Sequence, residues 1–117
     1  MKKKGECCFM IISETPGYKN SSKKIKKNYE AKHKLNKVLN HIESVYNYKE
    51  LKENPISNTY GFEELKDDLA GYCRFSIDKN RKSGKLRLIF SCINDSIQLE
   101  YISDNHYEDF KRYLRKD

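Results

Sequence analysis

Apolar residues recur along this chain with two different periods. Ile25, Tyr29, Leu35, Val38, Leu39, Ile42, Val45 and Tyr46 follow one another mostly at three- and four-residue steps, with Lys, Asn and Glu between them. That spacing predicts an amphipathic helix over residues 22–48. From residue 85 to 93 the step is two. Leu86, Leu88, Phe90 and Cys92 share one face and Arg87, Ile89 and Ser91 the other, which is the signature of a strand. Ile89 and Ile93 keep the second face apolar, so that face is expected to be partly covered or concave. Strands are also predicted over 72–77 and 96–103, joined to 85–93 by a basic loop at 78–84 and by a tight Asn94-Asp95 turn. The run from Cys7 to Ile12 reads as a buried first strand within 6–14.

Punctuation residues fill the gaps. Pro16-Gly17 and Asn20-Ser21-Ser22 predict a loop ending in good N-cap residues. Asn54-Pro55 stops the helical region, because a residue before proline resists the α conformation. Residues 56–61 are then a predicted loop leading into Phe62–Leu69. Tyr107, Phe110 and Leu114 fall on one side of a short closing helix from 106 or 107 to 114, which Asp104 or Asn105 can cap. The expected fold is α+β: an N-terminal strand, a long helix, a three-stranded antiparallel meander and a short C-terminal helix, with the long helix packed across a curved sheet. No internal repeat appears, and 117 residues suit a single domain over 1–117.

Composition narrows the function. Hydrophobic residues make up 37% and charged residues 35%, so the core is thin. Residues 1–60 hold 13 Lys/Arg against 6 Asp/Glu, while residues 61–117 hold 11 of each. Within the second half, Arg74, Lys79, Arg81, Lys82, Lys85 and Arg87 face only Asp78 between residues 71 and 93. Such a surplus favours a polyanionic partner and affinity that falls with salt. Simple solubility explains the overall charge equally well. The apolar run after Lys2-Lys3-Lys4 has six residues and no small-residue cleavage site. No apolar stretch approaches the ~20 residues needed to span a bilayer, and no membrane partner is expected. Four cysteines without a C-x-x-C or a Cys/His ladder argue against a structural zinc site and for reduced, mostly buried thiols in a cytoplasmic protein. No cofactor is implied.

The second half also carries candidate chemistry. Metal-independent cleavage of RNA needs a base for the 2′-hydroxyl, a cation for the phosphorane, an acid for the leaving 5′-oxygen and a ring that splays the nucleotides. Glu63 or Glu64 fits the base and Arg87 the clamp, since a guanidinium binds phosphate in a fork and stays charged. His106 fits the acid and Tyr107 the stacking ring. Each residue also has a plainer role. The glutamates sit in a solvated acidic run with Asp67 and Asp68, Arg87 can balance Glu100, and His106-Tyr107 can be a cap and a core ring. His33 and His41 lie among helix polar positions and read as structural.

The order Glu63-x-Leu65-Lys66-x-x-Leu69-x-Gly71-Tyr72, Arg87-Leu88-Ile89-Phe90 and His106-Tyr107 resembles the RelE/ParE superfamily of toxins, the YoeB-like branch in particular, over about residues 62–107. The resemblance implies a RelE-like microbial RNase architecture. It also implies the toxin of a type II toxin–antitoxin pair, a ribosome-dependent mRNA endoribonuclease (an mRNA interferase) that inhibits translation by 2′-hydroxyl attack. It assigns Glu63, Arg87, His106 and Tyr107 as catalytic and makes Lys66 and Arg74 RNA-binding candidates; Lys79 and Arg81 of the basic loop join them as RNA-binding candidates by their charge. Its implied partners are mRNA on the ribosome and a cognate acidic antitoxin, with a homodimer also open. The chain departs from the family pattern in three places: Pro16-Gly17 where a helical hairpin is usual, a longer basic loop at 78–84, and ten residues beyond Tyr107. That tail can cover the site or fix Tyr107 in a helix.

Two other functions remain open at this level. A ParE-like toxin that inhibits gyrase without cleavage has no need of an acid, a clamp and a base together. A non-catalytic basic RNA-binding module is expected to bind RNA in a salt-sensitive way and to tolerate loss of His106.

Overall fold

The computed structural model describes residues 10–78, 86–104 and 107–115. A five-stranded sheet runs β1 (Ile11–Glu14), β5 (Ser96–Ser103), β4 (Leu86–Ile93), β3 (Tyr72–Asp78) and β2 (Glu63–Glu64) in spatial order. The β2–β3–β4–β5 pairings are antiparallel, whereas β1 adds to β5 in parallel. The meander is therefore as expected. The Asn94-Asp95 turn has positive φ at both residues, +51° and +62°, as a tight hairpin between right-twisted strands requires. Strand β2 is an addition that two residues cannot announce by periodicity.

The first strand corrects an expectation. Among its described residues only Met10, just before β1, is fully buried; Ile12 is half-buried and Ile11 is exposed. The reason is its place at the sheet edge, where one side of the strand has no neighbour. The loop expected at Pro16 is instead α1 (Pro16–Ser21), with proline in its first turn and Thr15 Oγ1 accepting the Tyr18 N–H. Proline is well placed there, since a first-turn residue has no N–H partner to lose.

The long helix is also shorter than its apolar pattern. A 3₁₀ turn (Ser22–Ile25) follows α1, and α2 (Tyr29–Ser44) begins only after Asn28, whose side chain caps the Ala31 N–H. Two short helices follow, α3 (Tyr48–Glu53) and α4 (Pro55–Thr59), with Asn54 between them capping the second. Residues 56–61, expected as loop, thus lie largely in α4. Helix α5 (Glu108–Arg115) closes the described chain.

The sheet divides the core in two. On one face, Ala31, Leu35, Val38 and Ile42 of α2 pack on Phe75, Ile77, Leu86, Leu88, Phe90, Ile97, Leu99 and Ile102. On the other, Phe110 of α5 covers Ile89 with Leu69, Tyr72 and Tyr101 around it. A register shift between Ile89 and Phe90 makes Glu100 an extra residue on β5, so Glu100 and Tyr101 both turn toward the α5 face. Ile89 is covered as its position predicts, while Ile93 at the strand's end is exposed.

Candidate functional site

Neighbouring glutamates on a strand face opposite ways, and β2 shows the consequence. Glu63 is opposite Arg74 and Glu64 opposite Cys73 in the β2–β3 ladder. Arg74 lies on the α5 face, Cys73 in the α2 core. Glu64 is therefore held structurally: Tyr48 Oη donates to its Oε2 and lies 3.3 Å from Cys73 Sγ, and Lys52 Nζ lies 3.4 Å from the other Glu64 oxygen. The Tyr48 hydrogen bond, seconded by Lys52, holds the Glu64 carboxyl below its ordinary range, while burial, with the Cys73 and Glu64 contacts behind it, raises the Tyr48 hydroxyl. Beside Glu64 a cavity of about 320 Å³ is lined by Tyr48, Cys73 and Cys92. Burial raises both thiols, so neither is a ready thiolate.

Glu63 stands on the other face, with half of its side chain exposed (53%). Its Oε1 pairs with Arg74 Nη2. Arg74 Nη1 donates to the Gly61 carbonyl at 3.0 Å and to Ser76 Oγ at 2.8 Å. Ser76 is in turn opposite Arg87 across β3 and β4, and Arg87 is opposite Ser103 across β4 and β5. One face of the sheet thus carries a band from Glu63 through Arg74 and Ser76 to Arg87 and Ser103.

Arg87 is the unusual member. It is only 7% exposed, its Nε is buried without a hydrogen-bond partner, and no described carboxylate pairs with it. Glu100, considered as its counter-ion, instead accepts from Ser91 Oγ at 2.7 Å. What covers Arg87 is the Tyr107 ring, 5.0 Å from the guanidinium carbon. Tyr107 lies immediately before α5 with φ of +72°, a backbone state that a bulky residue adopts only when its surroundings impose it. Here its N–H donates to Ser103 Oγ at 3.1 Å, and that hydroxyl donates to Asp109 Oδ1 at 2.6 Å. Asp109 also accepts from the Asp104 N–H and from Lys24 Nζ. Burial pushes its carboxyl up, but these bonds and the Lys24 charge prevail and hold it low. The first turn of α5 is thereby tied to the end of β5.

The structure brings Glu63, Arg74, Arg87 and Tyr107 onto one face. Lys66 is exposed just before a 3₁₀ turn (Asp67–Leu69). His106, Lys79 and Arg81 lie outside the described residues. Among the described residues no group of three or more His, Cys, Asp or Glu side chains is placed to hold a metal ion, and no helix is long and apolar enough to cross a membrane. Sequence reasoning placed His41 among helix polar positions, but the structure buries it. Its Nε2 lies 2.7 Å from the fully buried Ser57 Oγ, with Tyr60 and Phe75 ring edges around it. A polar-looking helix position two residues beyond the Leu39 ridge gave no warning of that partner.

No family model matches the chain, and no curated protein matches it either. Solved structures do. YafQ from E. coli strain BL21(DE3) is 15% identical with a TM-score of 0.56, the likeness covering 82% of this chain and 93% of that one. A YoeB dimer from Staphylococcus aureus is 22% identical, TM-score 0.51, over 84% and 98% of the two chains. A YoeB/ParE toxin from Agrobacterium tumefaciens is 16% identical, TM-score 0.54, over 83% and 100%. At such identities the likeness speaks for architecture alone: this chain has the fold seen in the YafQ and YoeB structures.

Proposed function

We propose that this protein is an endoribonuclease toxin that cuts mRNA on the ribosome. Arg87 carries the reading. A guanidinium 7% exposed, with an unpartnered Nε and no described acid to neutralise it, is costly to bury. Such a group is accounted for by an anion that arrives from outside.

In this mechanism Glu63 takes the ribose 2′-hydroxyl proton and the 2′-oxygen attacks phosphorus. The bond from phosphorus to the 5′-oxygen breaks, leaving a 2′,3′-cyclic phosphate. The departing 5′-oxygen takes its proton from His106. Arg87 stabilises the charge that builds on the phosphorane oxygens. The Tyr107 ring now rests on Arg87, so it swings aside when phosphate enters and is then free to stack on a base. Cleaved mRNA is expected to carry a 2′,3′-cyclic phosphate at the new end; a 3′-hydroxyl there refutes 2′-oxygen attack.

A neutralising partner follows from the same reading. The YoeB of Staphylococcus aureus has been solved as a heterotetrameric YoeB–YefM toxin–antitoxin complex. With a formal charge of +7, this chain suits an acidic, partly disordered antitoxin segment that folds on its surface. That complex is expected to weaken as salt rises, and salt-independent association counts against an electrostatic interface.

A further inference from the structure

We propose that Arg74 is a positioning residue for Glu63 and not a contact to the nucleic acid. The inference rests on Glu63 being the base. Both Nη nitrogens of Arg74 are already engaged. Nη1 serves both Gly61 O and Ser76 Oγ and Nη2 serves Glu63, while Nε has no partner but is buried out of reach of a ligand. Forked recognition of a phosphate needs a free edge of the guanidinium, and the pair of nitrogens that would offer one is held within the protein.

The placement explains why. Glu63 belongs to a two-residue strand at the sheet edge, where a glutamate with half its side chain in water has many rotamers to choose from. Arg74 lies across the ladder from it, and Ser76 lies two residues further along β3 on the same face, opposite Arg87. By bonding Ser76, the guanidinium leans along the strand toward the Arg87 row, and the Glu63 carboxylate follows it. Arg74 is the shielded partner, its side chain 21% exposed against 53% for Glu63. The acid therefore faces the solvent side and the cation lies beneath it.

Gly61 completes the clamp. Its φ is +78°, and a Cβ built there would lie 2.7 Å from Ser76 Oγ and 3.3 Å from Arg74 Nη1. The backbone comes close enough for its carbonyl to receive Arg74 because no side chain intervenes. The Ser76 N–H, donating to Tyr60 O at 2.8 Å, fixes this segment on β3. Three groups of different origin thus converge on one guanidinium.

The test is single-turnover cleavage of a defined mRNA on programmed ribosomes, with half-saturating protein concentration and salt dependence measured for each variant. Arg74→Gln is expected to slow cleavage by about 10- to 100-fold, the scale of a base displaced by roughly an ångström. Half-saturation and salt slope should stay unchanged. Arg74→Lys should not rescue, because an ammonium keeps the charge but cannot span three partners. Ser76→Ala, which leaves both charges in place, should show a smaller loss of the same kind with an unchanged melting curve. A salt slope reduced by about one together with weaker half-saturation makes Arg74 a phosphate contact and overturns the proposal. So does a wild-type rate in Arg74→Gln when Glu63→Gln is inactive. A wild type that does not cleave overturns the nuclease reading, and this inference with it.

Discussion

Replacing Arg87 with methionine should make this protein more stable while abolishing cleavage. Arg87 is 7% exposed with an unpartnered Nε. An unsatisfied buried donor costs about 1–3 kcal/mol, and even a complete buried ion pair is often exchanged for hydrophobic residues of similar volume at no loss or with a gain of about 1–4 kcal/mol. Against this stands the stacking on Tyr107, 5.0 Å away, worth about 0.5–2 kcal/mol. Methionine keeps most of the side-chain volume between Ser76 and Ser103, so little cavity forms. The balance is a gain of about 1 kcal/mol. A domain of this length unfolds with an entropy near 0.25 kcal/mol/K, so that gain raises Tm by about 4 °C. Calorimetry of wild type and Arg87→Met reads the shift, and a cleavage assay on the same samples reads activity. A fall of 4 °C or more would mean that Arg87 is held by interactions strong enough to make it a structural residue, and the case for an external anion would collapse.

The two glutamates separate by face. Glu63→Gln should abolish cleavage, whereas Glu64→Gln should leave its rate within about two-fold and lose stability at neutral pH; equal losses of activity would contradict the β2 register. Because the Tyr48 bond holds the Glu64 carboxyl below its ordinary 4.5, its contribution is complete above that value and disappears as pH falls through the lowered one. Urea titrations of wild type and Tyr48→Phe on the acid side test this, and identical acid profiles would refute it. Burial lowers the His41 pKa below its ordinary 6.5, with Glu50 opposing. The unfolded chain therefore binds that proton first, and stability, full above 6.5, should decline as pH drops below it. His41→Gln should remove this part of the slope, and an unchanged slope refutes the assignment. Phe110→Ala removes the fully buried ring between α5 and Ile89 and should cost about 3–5 kcal/mol; a loss under 1 kcal/mol in denaturant would show that α5 does not rely on it.

The parts of the fold that could be read from sequence were those with enough residues to show a period. The β3–β4–β5 meander, the core face of α2 and the α5 face of Arg87 and Ile89 all follow from alternation or three- and four-residue steps. Short elements escaped. Strand β2 has two residues, fewer than one repeat, yet it decides which glutamate shares the sheet face of Arg87. At Pro16 the loop-like Pro-Gly pair masked a helix start that Thr15 and a first-turn proline encode together. Asn28 looked like one more polar residue inside a helix, but its side chain caps one. The ties of Arg74 to Gly61 and of His41 to Ser57 join residues 13 and 16 apart on different elements, and no local pattern carries such pairings. The face that Arg87 takes was legible as alternation; that no described carboxylate pairs with it was not.

Whether the band from Glu63 to Arg87 is a nuclease site is best decided by primer extension on a defined mRNA in a purified translation system. Wild type, Arg87→Ala and His106→Ala should be compared with and without ribosomes. Cuts that need ribosomes and vanish in both variants are the expected result. No cleavage by wild type, while its expression still arrests growth, would contradict it.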